Sequence, residues 1–185
     1  MDTSDYGLEL KFCRSEQSVQ MGAGMAIEGY ASLFGLPDQG GDVVQKGAYA
    51  RSLKRLAERG GSVKMLWQHD PTQPIGVWDE IFEDARGLFV KGRLLPEVEK
   101  AREAAALIEA GAIDGLSIGY RTISAEKDAK GQRLLAELEL WEVSLVTFPM
   151  LREARVAAKG ESLEAETWRD LAGALERAAA ELAGR

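Results

Sequence analysis

Residues 111–120 read GAIDGLSIGY, and this stretch predicts the end of a helix, a tight turn and a short strand that carries one serine. Side chains alternate between the two faces of a strand, so Ser117 points away from Leu116 and Ile118. Gly119 shares the face of Ser117 and is expected to leave open space beside its hydroxyl. A substrate carbonyl needs such space to approach a nucleophile, so Ser117 is a candidate nucleophile. The alternative is a surface serine on a half-buried strand.

Short strands and turns surround this segment. Alternating polarity and β-branched or aromatic composition predict strands at residues 8–13, 26–34, 62–69, 75–82, 87–94, 116–123 and 134–148. Pro71 and Pro74 are expected to stop the third of these strands, because proline has no N–H to donate to a ladder. Helical spacing predicts helices at 47–58 and 97–110, closed by Gly60 and Gly111, and a third at 162–183. The pattern predicts an α+β fold, with a mostly antiparallel sheet or small barrel of about seven strands, two helices and a C-terminal helical appendage.

Length and charge restrict the class of protein. The 185 residues are expected to form one domain over 1–157, followed by a helical segment over 158–185. The net charge is −7 and the pI about 4.9, with no run of lysine or arginine, which argues against a nucleic-acid or anionic-membrane partner. The N-terminus is acidic, and no apolar run approaches the roughly 18 residues of a membrane span. These features are typical of a soluble, intracellular protein.

The inventory of reactive side chains is short. Cys13 is the single cysteine, so an intrachain disulfide and a cysteine metal cluster are both excluded. His69 is the single histidine, so a zinc site built on several histidines is excluded, and any mechanism with a histidine base must use it. His69 is expected at the rim of the sheet, at the end of its strand. An imidazole titrates near neutral pH and can accept a serine proton; a rim histidine bonded to a backbone carbonyl is the alternative.

The last predicted strand carries a carboxylate among apolar residues. Alternation places Glu142 and Ser144 on one face and Val143 and Leu145 on the other. Burying a carboxylate is costly unless it is paired, and an imidazole N–H would be a suitable partner. A glutamate on the solvent face of an edge strand is the alternative. Ser144 is a rival nucleophile, but no glycine lies beside it. Pattern alone therefore leaves a serine, a histidine and a carboxylate as separate candidates.

Eight short motifs carry a family resemblance in their order and spacing, and together they span about residues 26–157. They are GYASLF at 29–34, DVV at 42–44 with GAY at 47–49, VKMLWQHD at 63–70 with PIG at 74–76, GL at 87–88, GLSIGY at 115–120, and WEVSLVTFP at 141–149. The chain resembles the prohead (capsid maturation) proteases of tailed bacteriophages, which also occur in gene transfer agents. That family is similar in fold to the herpesvirus assemblin proteases, which implies a closed or nearly closed β-barrel wrapped by helices.

The resemblance implies a serine peptidase with Ser117 as nucleophile and His69 as general base. The third member is a histidine in the herpesvirus enzymes; here an acidic residue must serve, and Glu142 is the one that the motif supplies. Asp114 and Asp70 remain alternatives.

The resemblance also implies where an oxyanion would be bound. By analogy with the herpesvirus enzymes, the loop after the last strand would donate backbone N–H groups from Leu151 and Arg152. No metal or organic cofactor is implied.

The implied substrates are the scaffold protein or the scaffolding segment of the major capsid protein, cut inside the assembling prohead in the host cytoplasm. Self-cleavage usually follows in this family. The predicted C-terminal helix, with its seam from Trp168 to Leu182, could bind scaffold or capsid protein, pair protomers into a homo-oligomer, or pack on its own barrel. The competing hypothesis is a non-catalytic, scaffold-like assembly protein that keeps the fold.

Overall fold

A computed structural model describes residues 9–12, 20–21, 25–38, 40–129 and 131–147, with backbone alone for the first two ranges. The described chain forms nine strands and two helices. In chain order they are β1 (Glu9–Phe12), β2 (Gln20–Met21), β3 (Ala26–Leu33), β4 (Asp42–Val44), α1 (Ala50–Glu58), β5 (Lys64–Trp67), β6 (Asp70–Glu83), β7 (Gly87–Leu94), α2 (Glu99–Glu109), β8 (Gly115–Lys127) and β9 (Arg133–Val146). The predicted C-terminal helix and the predicted boundary at residue 157 lie outside the described residues.

All nine strands belong to one sheet, in the order β1-β8-β9-β5-β6-β7-β3-β2, with β4 also paired to β9. In the described part of the chain, β1 and β2 are the two edges and the sheet does not close, although it curls enough for β3 to contact β8. The sheet is also mixed, because β4 and β5 both run parallel to β9. The predicted closed or nearly closed, mostly antiparallel barrel of about seven strands is therefore corrected: the described residues form an open, curled half-barrel of nine strands with two helices.

The parallel pairs arise from the crossover that α1 makes between β4 and β5. The strands β4 and β5 lie one after the other along the same edge of β9, paired with residues 133–135 and 142–145, and α1 connects them. The helix segment then covers the edge of β9 between its two parallel partners. The N–H of Leu138 donates to the carbonyl of Ala48 at 2.9 Å, and the N–H of Leu140 donates to the buried Ser52 hydroxyl at 2.9 Å. An edge that would otherwise lack acceptors is thereby satisfied.

Helix boundaries follow the glycines that the sequence singled out. Gly60 and Gly111 have φ of +62° and +69° and follow α1 and α2, as predicted for residues that close a helix. The predicted inner face of α2 is confirmed, with Ala101, Ala105 and Ile108 buried in the core. The helix α1 begins at Ala50, three residues later than predicted.

The predicted third strand does stop before the prolines, because β5 ends at Trp67, but the reason given for it was wrong: β6 runs through both prolines. It begins at Asp70, and its regular pairing with β7 begins only at Gly76. Before that point its ladder partner is β5, and the register there shifts irregularly, with Leu66 opposite Pro74 and Trp67 opposite Asp70. Prolines are tolerated where a strand has one neighbour or bulges. The predicted hairpin between β6 and β7 is confirmed.

A β-bulge in β9 decides which of its side chains reach the site. Gly119 of β8 lies opposite Glu142, and the next residue, Tyr120, lies opposite Leu140, so Trp141 is an extra residue. The extra residue reverses the alternation. The core face consequently receives Leu138 and Leu140 from before the bulge, and Val143 and Leu145 from after it. Each of these four side chains is at most 2% exposed. Glu142 and Ser144 face the other side.

Candidate active site

His69 lies in a two-residue turn and not on the strand where the sequence placed it. The strand β5 ends at Trp67, which pairs with Asp70, so Gln68 and His69 form the loop of the β5–β6 hairpin. Their φ angles are +52° and +61°. Positive φ at both loop residues suits a primed turn, which glycine and asparagine favour. For two residues with longer side chains, this conformation costs about 1–3 kcal/mol each.

Hydrogen bonds from the end of β9 hold this turn. The N–H of Gln68 donates to the Leu145 carbonyl at 2.9 Å, and the N–H of His69 donates to the Ser144 hydroxyl at 3.2 Å. The Gln68 side chain forms a reciprocal pair with Thr147: its Nε2 donates to the threonine Oγ1 at 2.5 Å, and its Oε1 accepts the threonine N–H at 3.4 Å. The neighbouring strand therefore holds the unfavourable backbone conformation in place.

The His69 ring is paired with Glu142. Its Nδ1 lies 2.6 Å from Glu142 Oε1, and the two side chains are only 9% and 4% exposed. Because a carboxylate is an acceptor, this contact assigns the ring proton to Nδ1 and leaves the lone pair on Nε2. The other carboxylate oxygen, Oε2, accepts the Ser144 hydroxyl at 2.5 Å. Both carboxylate oxygens are thus hydrogen-bonded, which is how a buried carboxylate is tolerated.

Ser117 reaches the same cluster through the register of β8 on β9. It lies directly opposite Ser144, and it is fully buried. On its other side it is paired in register with Phe12 of β1. Opposite residues of an antiparallel pair share a face, so Ser117 faces the side of the sheet that holds Glu142 and Ser144. The structure therefore gathers all three sequence-predicted candidates on one face.

Gly119 has a different role from the one that the sequence suggested. We expected it to leave open space beside Ser117, but the Glu142 side chain occupies that space. A Cβ at position 119 would lie 2.2 Å from Glu142 Oε1 and 2.9 Å from its Cγ and Cδ. Because Glu142 is held at both oxygens, it could not simply move aside. Gly119 is the position over which the carboxylate lies.

Ser144, considered a rival nucleophile, is engaged on two sides. Its hydroxyl proton is donated to Glu142, and its oxygen accepts the backbone N–H of His69. A hydroxyl has one proton, so this arrangement leaves none for a base to remove. Ser144 connects the carboxylate to the histidine turn.

The alternative acids lie at the first residue of β6 and in the loop before β8. The Asp70 carboxylate accepts hydrogen bonds from the Thr72 hydroxyl and N–H and from Gln73, and these bonds lower the pKa of Asp70 below its usual range. Asp114 lies in the loop between α2 and β8. The carboxylate against His69 Nδ1 is that of Glu142. The predicted oxyanion residues, Leu151 and Arg152, lie outside the described residues.

Sequence reasoning named Ser144 as a rival nucleophile but missed its supporting role, and it did not single out Gln68 or Thr147 as site residues. Ser144 had a usable signal, because it follows Glu142 by two residues and so shares its face. Gln68 and Thr147 had none, since they lie 79 positions apart. The part of the chain that the structure describes contains no cluster of three or more His, Cys, Asp or Glu side chains arranged for a metal ion. It also contains no helix long and apolar enough to cross a membrane.

Comparisons with known proteins place the chain in a family. The family model for the caudovirus prohead serine protease matches residues 13–167. The prohead protease of Enterobacteria phage HK97 is 34% identical over 151 residues, which cover 78% of this chain and 64% of that protein. The chain thus spans less than two thirds of that relative's length.

A solved structure agrees on the fold. The bacteriophage T4 capsid assembly protease, gp21, superposes with a TM-score of 0.62 at 17% identity, covering 75% of this chain and 96% of that one. At this identity the likeness concerns the fold alone. The family match over most of the sequence carries the conclusion: the chain belongs to the caudovirus prohead serine protease family.

Proposed function

We propose that this chain is a serine endopeptidase of capsid maturation, with Ser117 as nucleophile, His69 as general base and Glu142 as the carboxylate that orients the base. The observation that carries the proposal is the buried 2.6 Å contact between His69 Nδ1 and Glu142 Oε1, on the face of the sheet where Ser117 lies. Membership of the prohead protease family supports the same assignment.

The reaction follows from the tautomer of His69. Its Nε2 lone pair takes the Ser117 proton as the serine oxygen bonds to the scissile carbonyl carbon. Glu142 stabilises the imidazolium that forms, and that imidazolium then protonates the leaving amine nitrogen as the peptide bond breaks. The same nitrogen then deprotonates a water molecule, whose oxygen bonds to the acyl carbon. The imidazolium formed in this step gives its proton to the Ser117 oxygen as the ester bond breaks. Glu142 remains ionised throughout.

The developing oxyanion requires donors aimed at it. We assign this role to backbone N–H groups of Leu151 and Arg152, in the segment that follows β9. The assignment rests on the family resemblance; in the described chain, β9 ends at Val146 opposite Gly115, two residues before the nucleophile on β8.

The proposed substrates are the scaffold protein or the scaffolding segment of the major capsid protein, cut within the assembling prohead in the host cytoplasm, with self-cleavage afterwards. The relatives support the setting, because one is named a prohead protease and the other a capsid assembly protease.

Co-expression with the capsid precursor tests the proposal. Wild-type protein should shorten the precursor, and Ser117→Ala should leave it intact, because loss of a nucleophile lowers kcat by about 10⁶-fold. Ser32→Ala is the matched control: Ser32 is also a fully buried strand serine, but its hydroxyl has no hydrogen-bond partner among the described residues. It should cleave normally.

A fluorophosphonate probe separates the remaining outcomes. Mass spectrometry should find the adduct on Ser117 in the wild type and none in His69→Ala. Cleavage by Ser117→Ala would contradict the assigned mechanism. A folded wild type that neither cleaves nor reacts with the probe would favour the non-catalytic assembly protein.

A further inference from the structure

A cavity beside the site is lined by residues that have no role in the proposed reaction. It has a volume of about 280 Å³ and lies between α1 and the strands β5 and β9. Its apolar surface comes from Leu56, Leu140 and the exposed indole of Trp141. The polar part of the lining consists of three cations, two serines and one carboxylate: Arg55, Arg59, Lys64, Ser52, Ser62 and Glu139.

The three cations have no acidic partner in the part of the chain that the structure describes. Lys64 donates only to the Ser62 hydroxyl, at 3.2 Å. Arg55 has a guanidinium nitrogen, Nη2, that is shielded from solvent and has no acceptor among the described residues. Glu139 is the one carboxylate in the lining, and it is paired with Arg121.

A buried guanidinium N–H without an acceptor is destabilising, so native proteins rarely leave one without a partner, which is a water, an ion or a bound group. A carboxylate supplies the missing acceptor in the geometry that a guanidinium prefers. The apolar surface of Leu56 and Trp141 is suited to the methylenes of a glutamate or to an apolar neighbour of it. The cavity therefore matches a peptide that carries carboxylates among apolar residues.

Nucleic acid matches the cavity less well. Phosphate backbones are bound along extended basic stripes, whereas these three cations are confined to one cavity. Glu139 lies in the cavity lining, Glu137 lies two residues before it on β9, and Glu58 is the last residue of α1. The chain also has a net charge of −7. A polyanion crossing this face would meet those carboxylates, but one short acidic segment would not.

We propose that this cavity binds an acidic segment of the polypeptide substrate. That the bound polypeptide is a substrate rests on the function proposed above. Its position supports this, because Trp141 precedes Glu142 in the chain and Lys64 lies opposite Glu142 in the register. Trp141 and Ser144 are three residues apart, which is roughly 10 Å along a strand. An extended substrate held in the cavity reaches Ser117 within about three to five residues.

Binding is measured on the Ser117→Ala protein, so the test does not depend on catalysis. The probe is a fluorescein-labelled peptide, Leu-Glu-Ala-Glu-Leu-Glu, compared by anisotropy with the same peptide in which glutamine replaces each glutamate. The acidic peptide should bind at least tenfold tighter, and its affinity should fall as salt rises from 50 to 500 mM. Arg55→Gln should weaken binding by about tenfold or more, because it removes a charge-assisted hydrogen bond.

Arg59→Gln and Lys64→Gln alter exposed side chains, so both variants should fold normally. Both should still bind the acidic peptide more weakly than the Ser117→Ala parent does. The matched control is Lys54→Gln, which removes the same charge from α1 at a residue paired with Glu58 and outside the cavity. It should leave the affinity unchanged. Equal binding of the two peptides, or equal losses in Lys54→Gln and Lys64→Gln, would overturn the proposal. Competition by a single-stranded oligonucleotide at equal charge concentration would also overturn it, in favour of nucleic acid.

With a cleavable peptide, the docking role has its own kinetic signature. Placing glutamates three to five residues from the scissile bond should lower KM for the wild type at least tenfold more than for Lys64→Gln. Should Ser117→Ala prove to cleave, the proposed mechanism fails, but the binding result stands.

Discussion

The strand β6 has a turn at each end, and the two turns are built in opposite ways. At the far end, Asp84 accepts the N–H groups of Arg86 and Gly87 at 2.7 and 2.9 Å and also the Tyr30 hydroxyl. Aspartate and glycine are the residues that such a turn prefers. At the near end, Gln68 and His69 adopt positive φ with no local residue suited to it.

The near turn is held by contacts from elsewhere in the chain. Leu145, Ser144 and Thr147 of the β9 end supply its hydrogen bonds. Strained backbone persists where the surrounding structure over-determines it, and such residues cluster at functional sites. The comparison indicates that the Asp84 turn serves the fold, while the His69 turn fixes the position of an imidazole at a cost in local stability.

Among variants of the His69 turn, its supporting residues and the Asp84 turn, Glu142→Gln is expected to lower kcat the most. The amide no longer fixes the proton on His69 Nδ1, so kcat should fall by about 10⁴-fold. Peptide hydrolysis across a range of pH measures it, and Glu80→Gln, an exposed glutamate of β6 near Lys91, is the control. Activity within tenfold of the wild type would contradict the assignment and return attention to Asp114.

The second-largest fall in activity is expected from Gly119→Ala. The added methyl would overlap Glu142 Oε1, so the carboxylate and the His69 ring must shift. A displacement of about 1 Å costs about 100-fold in rate, and overpacking should lower the free energy of unfolding by about 1–3 kcal/mol. Steady-state kinetics and urea unfolding check both values. An unchanged rate would show that the carboxylate can move without consequence.

Ser144→Ala tests whether the near turn needs its external support. It removes the bonds to Glu142 and to the His69 N–H, so we expect about a tenfold fall in kcat and a loss of about 1–3 kcal/mol of stability. Ser32→Ala, the buried serine without a partner among the described residues, should cost less than about 0.5 kcal/mol. Equal behaviour of the two variants would contradict the linking role of Ser144.

The smallest effect on activity belongs to the far turn. Asp84→Asn should lower stability by about 1 kcal/mol at neutral pH and leave kcat unchanged. The hydrogen bond from the Tyr30 hydroxyl holds the pKa of Asp84 below its ordinary value of 3.8. The carboxylate therefore contributes stability above pH 3.8, which is lost as the pH falls through the lower, folded-state pKa.

Urea unfolding at several pH values measures this dependence. The difference between wild type and Asp84→Asn should be constant from about pH 5 to 8 and should shrink below about pH 4. Asp79→Asn is the control, because Asp79 lies on the same strand in an exposed pair with Arg93. A kcat change in Asp84→Asn would mean that the two turns are coupled through β6.

Local sequence determined much of this protein. Periodicity predicted the α2 face that is buried and the β6–β7 hairpin, because each depends on side chains close together in the chain. The single histidine directed attention to His69, and alternation placed Glu142 and Ser144 on one face. Family motifs then connected these residues to Ser117 before any geometry was known.

Tertiary structure decided the rest. It ended β5 at Trp67, placed His69 in a turn at positive φ, made Trp141 a bulge and filled the space at Gly119 with Glu142. It also left the sheet open and mixed. The physical reason is sequence distance: the contacts from Glu142 and Ser144 to His69 join residues 73 and 75 positions apart. Local preferences favour glycine in tight turns, alternation in strands and the absence of proline from sheets. They were overridden where such distant hydrogen bonds and packing contributed more free energy.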